Sequence, residues 1–183
     1  MKEKQFDTKS LVLTALFTAI GLVLPQAFHF IPNAGSIILP MHIPVLLCGL
    51  TVGGLYGAAC GAVTVLLSSL ITGMPPLFPI GVCMMFELAA YGFFSGIAYR
   101  LLRCRKNPKM LYAALAVGML SGRIVNGLVS SVVMGMAGKP YGVQAFLMGA
   151  FVTALPGIII QFVIIPPLVL ALQKFHLTAR EEN

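Results

Sequence analysis

Only two charged side chains, Glu87 and Arg123, lie outside residues 1–9, 100–109, 139 and 174–182. Both stand in long apolar stretches. A charge in a hydrocarbon core costs several kcal/mol and persists where it pairs or lines a polar cavity. Glu87 and Arg123 can therefore tie two helices together as an ion pair, or hold a polar small molecule. Asn126, three residues after Arg123, shares nearly the same helical face. Ser68, Ser69 and His42 add hydroxyl and imidazole groups in neighbouring segments, more than one ion pair needs. His42 alone is weak evidence, because a single histidine near an interface is more often structural.

Catalytic chemistry finds no foothold. The chain has no HExxH, no GxSxG and no GxxxxGK[ST], and a single acid far from its ends. Ser68 or Ser69 with His42 would be the raw material of an intramembrane serine protease, but no nucleophile motif surrounds either serine. Cys48, Cys60, Cys83 and Cys104 have no CxxC spacing, and three of them sit in apolar segments. They read as small core residues, with no disulfide, metal site or cofactor implied. The reading is of a binding protein and not an enzyme.

The segments that must position these residues are membrane-spanning. Of 183 residues 58% are hydrophobic and 9% charged, far from the balance of a soluble protein. The net charge of +7 does not point to nucleic acid, because the basic residues cluster at the ends of apolar stretches, as topology demands. The basic start and apolar run of MKEKQFDTKSLVLTALFTAIGLVLP suit a retained first helix better than a cleaved signal, since no small-residue cleavage site follows. Crossings are expected at 10–28, 38–52, 55–72, 80–102, 111–136 and 143–173. Breaks fall at IPNAGS (31–36), GG (53–54), GMPPLFP (73–79), RCRKNPK (103–109) and AGKPYG (137–142). The fold expected is all-α: six short transmembrane helices in one bundle, a single domain over residues 1–183. The stretch 39–73 is too short for two upright helices and a loop, so the second and third crossings must be short, tilted or irregular. Pro40 and Pro44 favour irregularity.

With six crossings, Lys2, Lys4 and Lys9, the five basic residues of 100–109, and Lys174 and Arg180 all fall on one side. The positive-inside rule makes that side the cytoplasm and puts both termini there, with Lys139 outside. Depth then follows from the rise of about 1.5 Å per residue. Glu87 lies about 10 Å below the outer surface and Arg123 about 12 Å below it, in a core about 30 Å thick. The two share a level. The cytoplasmic halves are almost uniformly apolar apart from Gln161, so the polar groups form a pocket open to the outside and not a path across. Tyr56, Tyr91, Tyr99 and Tyr112 read as interface or packing aromatics. Ala15/Ala19, Gly49/Gly53/Gly57/Gly61, Gly92/Gly96 and Gly118/Gly122 recur at the spacing that lets helices approach closely in lipid.

Three stretches carry a resemblance: KSLVLTALFTAIGLVLP, LPMHIPVLLCGLTVGGLYGAACGAV, and GMPPLFPIGVCMMFELAAYGFFSG. In this order, across nearly the whole chain, the sequence resembles the substrate-binding S components of energy-coupling factor (ECF) vitamin transporters. The resemblance implies a multi-pass protein of the cell membrane that captures a vitamin or precursor from outside. Its partners would be a transmembrane T component and two ATP-binding subunits. It implies that Ala15 and Ala19 on the first helix dock the T component. It also implies that the loops at 31–36 and 73–79, with Asn33, Pro75, Pro76 and Phe78, close over the substrate. The MHIP and MPPLFP pattern looks most like the pantothenate group, with Arg123 available to its carboxylate. Folate, a B6 or pyrimidine precursor, and cobalamin stay open, as do a stand-alone carrier and a structural subunit without ligand.

Overall fold

The computed structural model describes residues 8–28, 34–138 and 142–175, and the whole of that is helical apart from connections. The order is α1 (Thr8–Ala27), α2 (Ala34–Ile37), α3 (His42–Thr51), α4 (Gly54–Thr72), a π turn (Leu77–Gly81) leading into α5 (Val82–Leu101), α6 (Met110–Met136), α7 (Val143–Leu147), a π segment (Met148–Thr153) and α8 (Leu155–Lys174). Among the described residues five helical stretches are long and apolar enough to cross a membrane, and α3 with its approach is a shorter apolar sixth. Large apolar side chains such as Ile71, Leu128 and Val163 point outward from these helices, a surface suited to lipid. This is a multi-pass membrane protein.

The shortage of length expected between residues 39 and 73 falls entirely on α3. It has ten residues, or about 15 Å of rise, while α4 is full-length with nineteen. The approach to α3 is irregular: Leu39 has a positive φ of 55° and its carbonyl accepts from the His42 N–H. Pro44 falls in the first turn of α3, where a missing N–H costs nothing. Nine of the ten α3 residues are buried, so this short helix is the axis of the bundle. It packs on α1, α4, α5 and α8.

Helices that cannot use hydrophobic burial to associate in lipid rely on close backbone approach, and here the glycines supply it. A Cβ on Gly57 would come within 2.6 Å of the Gly49 Cα and 2.7 Å of the Gly92 carbonyl oxygen. One on Gly61 would meet the Leu88 backbone at 2.5 Å, and one on Gly118 the Ser95 side chain at 2.7 Å. So α3, α4 and α5 touch main chain to main chain, and α6 lies antiparallel against α5. Gly53 has a different task from its neighbours in the spacing pattern. At φ 131° it makes the two-residue reversal from α3 to α4.

The sixth expected crossing, 143–173, is not one helix. A single helix of that length would overrun the hydrocarbon by a wide margin, and Pro156 at the start of α8 cannot continue an earlier hydrogen-bond ladder. The spanning part starts at Leu155, twelve residues later than 143. This puts Gln161 in the first half of its spanning helix, so that the orientation expected from the basic residues no longer places it in the cytoplasmic half.

Candidate functional site

The two lone charges meet. Glu87 lies near the start of α5 and Arg123 in the middle of α6. The antiparallel packing that sets Gly118 on Ser95 and Gly122 on Tyr91 brings Arg123 level with Glu87. Arg123 Nη1 donates to Glu87 Oε1 at 3.0 Å, with the side chains 7% and 5% exposed. His42, in the first turn of α3, brings Nε2 to 3.9 Å from the same oxygen, beyond hydrogen-bonding range. Three helices thus contribute one group each to a buried cluster.

Tyr91, read from sequence as an interface or packing aromatic, packs against the cluster. It is one turn after Glu87 and fully buried. Its ring stands edge-on to His42 with centroids 5.1 Å apart, and the Arg123 guanidinium carbon lies 5.8 Å from its centre. The i+4 spacing from a lone intramembrane acid was the available signal.

Several polar atoms here have no hydrogen-bond partner among the described residues: both His42 nitrogens, the Tyr91 hydroxyl, and Nε and Nη2 of Arg123. The last two matter most. Nε and Nη2 form the side-on edge of the planar guanidinium, two parallel donors spaced to match a carboxylate. Arg123 is therefore anchored through Nη1 and presents its other edge unused. Buried donors left unmade are costly, and this edge is available to a further acceptor.

The remaining residues singled out from sequence sit around this centre with varied tasks. Asn126 is half-buried one turn along α6, and its Oδ1 accepts from Ser130. Ser68 and Ser69 do not offer their hydroxyl protons inward. They donate to the Met74 and Pro75 carbonyls, each at 2.7 Å, and so pin the loop that follows α4. In that loop Pro76 and Phe78 are exposed and Pro75 partly so. Asn33 lies outside the described residues. Ala15 and Ala19 are exposed on α1, on the side opposite its buried stripe of Ser10, Leu13, Phe17 and Gly21. Ala19 also lines a shallow apolar groove with Ile20, Val23, Leu24 and Ala27. All four cysteines are buried free thiols. Cys60 accepts from Thr18, and Cys48 contacts Thr14, so both serve packing between α1, α3 and α4. Among the described residues no cluster of His, Cys, Asp and Glu is arranged to hold a metal ion.

The structure thus gathers Glu87, Arg123, His42 and Tyr91 into a buried, partly unsatisfied polar cluster inside a membrane bundle. The family model described as ECF transporter, substrate-specific component, matches residues 9–169. The chain belongs to this family. Comparison with curated proteins and with solved structures returns no match. ECF substrate-specific components form a transporter family and not an enzyme family, with a small-molecule substrate and a T component and ATPase module as general partners. The matched region takes in every residue of the cluster as well as Ala15 and Ala19.

Proposed function

We propose that this S component captures a small carboxylate-bearing vitamin or vitamin precursor from outside the cell, with pantothenate the best candidate. The observation that carries the reading is the side-on edge of Arg123, buried, unpartnered and held in place through Nη1 by Glu87. A carboxylate on that edge gains two parallel charge-assisted hydrogen bonds. Glu87 then orients the arginine without competing for its free edge. His42, Tyr91 and Asn126 line the space around the ligand. Ser68 and Ser69 act through the loop they hold, so Pro75, Pro76 and Phe78 close the site, together with the segment around Asn33. Ala15 and Ala19 dock the T component, and the ATP-binding subunits supply the energy for release inside.

The test is equilibrium binding of a vitamin panel, pantothenate included, to the purified protein in detergent, beside Arg123→Lys. Lysine keeps the charge and removes the fork. One carboxylate-bearing member should bind the wild type tightly and the Lys variant at least about tenfold more weakly. A stable wild type that binds nothing, or a Lys variant that binds equally well, overturns the proposal. The completeness of the 3.0 Å pair without a ligand favours one other reading, a purely structural pair. Uptake into liposomes by the chain without partners would instead favour a stand-alone carrier.

A further inference from the structure

Gln161 is buried completely, and neither its amide oxygen nor its amide nitrogen has a hydrogen-bond partner among the described residues. It belongs to the inward stripe of α8, Gly157, Gln161, Ile165 and Val169, at intervals of four. Ile165 and Val169 pack into the core that α3 centres. A primary amide with both halves unmade in such a place is costly, and nothing in the packing of α8 requires it.

Two contacts place it along the bundle. At the cytoplasmic end, Gln173 donates to the Tyr99 hydroxyl at 2.7 Å, tying α8 to α5. Both helices run in the same direction. Gln161 is twelve residues before Gln173, as Glu87 is twelve before Tyr99, so each stands about 18 Å from that tie. At the outer end, a Cβ on Gly157 would lie 2.6 Å from the Ile37 carbonyl oxygen and 2.9 Å from Ile38, just ahead of α3. One turn on from Gly157 is Gln161, and the irregular chain after Ile38 leads into α3 at His42. The tie at Gln173 sets the amide near the level of Glu87, and the Gly157 contact sets the start of α8 against the entry to α3, whose first residue is His42.

We propose that Gln161 is a substrate-contacting residue that reads a neutral group carrying both an acceptor and a donor, an amide or hydroxyl, away from the carboxylate held by Arg123. The proposal rests on the substrate-binding reading above and adds a second determinant to it. The amide can donate to a carbonyl or hydroxyl oxygen and accept from an N–H or O–H, the two functions that are unmet. A site that hydrogen-bonds such a group discriminates strongly against analogues lacking it.

The test compares wild type with Gln161→Leu by ligand-free thermal stability in detergent and by binding of the same panel. Leucine should leave stability equal or higher, because it removes an unpaired buried amide, and should weaken the bound member at least about tenfold. It should also narrow the preference of the wild type for pantothenate over an analogue with its amide N–H methylated. Unchanged affinity in the variant, or a fall of several degrees in ligand-free stability, overturns the role of Gln161 while leaving the carboxylate site standing. Absence of binding by the wild type itself overturns the substrate reading, and this proposal with it.

Discussion

Replacing Glu87 and Arg123 by leucine, singly and together, separates a pair that holds helices from a pair that serves a ligand. The charges are 3.0 Å apart and at most 7% exposed. Removing either one leaves the other buried without a counter-charge, at a cost of about 3–5 kcal/mol. For a chain of this size that is a fall in thermal midpoint of about 6–20 °C. The double replacement leaves no orphan charge, so most of the loss should return, and the two single effects should fail to add by several kcal/mol. Midpoints would be read in detergent without ligand at a fixed heating rate, and panel binding measured on each variant that stays folded. The expected result is a stable double variant that binds nothing, because the fork on Arg123 has gone. Single effects that simply add would refute the coupling. A double variant that binds as tightly as wild type would refute the ligand role of the arginine and leave the pair as a helix tie.

Three further outcomes follow from local geometry. Gly57→Ala places a methyl within 2.7 Å of backbone atoms on both α3 and α5, so it should destabilise the bundle by about 1–3 kcal/mol. Gly135→Ala, exposed on α6 with nothing within 4 Å, should leave the thermal midpoint unchanged or slightly raised. Ser68→Ala and Ser69→Ala each remove a 2.7 Å bond to the loop after α4. At about 0.5–1.5 kcal/mol per bond, each should speed release of the bound vitamin by about 2- to 10-fold in a dissociation chase. Unaltered release would separate that loop from closure.

Much of the site could be read beforehand because so few polar groups were available. With two charges in the apolar spans, helical rise alone was enough to give them one depth, and the 3.0 Å contact bears that out. The glycine spacing likewise foretold close backbone approach, though not that Gly53 would make a turn while Gly49 and Gly57 meet Gly92. What stayed hidden depended on tertiary path. Tyr91 reads like any membrane aromatic until α3 brings His42 against its ring. The hydroxyls of Ser68 and Ser69 look available until the chain after Gly73 turns its carbonyls back onto them. The start of the helix that carries Gln161 is hidden because apolar composition runs on from 143 to 173, while the long helix begins only at Leu155, after the π segment and next to Pro156.

The glycine contacts also set where this molecule can yield. Main chain resting on main chain has no rotamer to exchange, so α3, α4 and α5 form a stiff wedge, to which α6 is clamped through Gly118 and Gly122. Helix α8 is held differently: it touches mainly α3, meets main chain closely at Gly157 near its start, enters from a π segment and carries Pro166 and Pro167 in its interior. The acid, the tyrosine and the histidine stand on the wedge and the arginine on the helix clamped to it, so main-chain contact sets their mutual geometry, while Gln161 stands on α8.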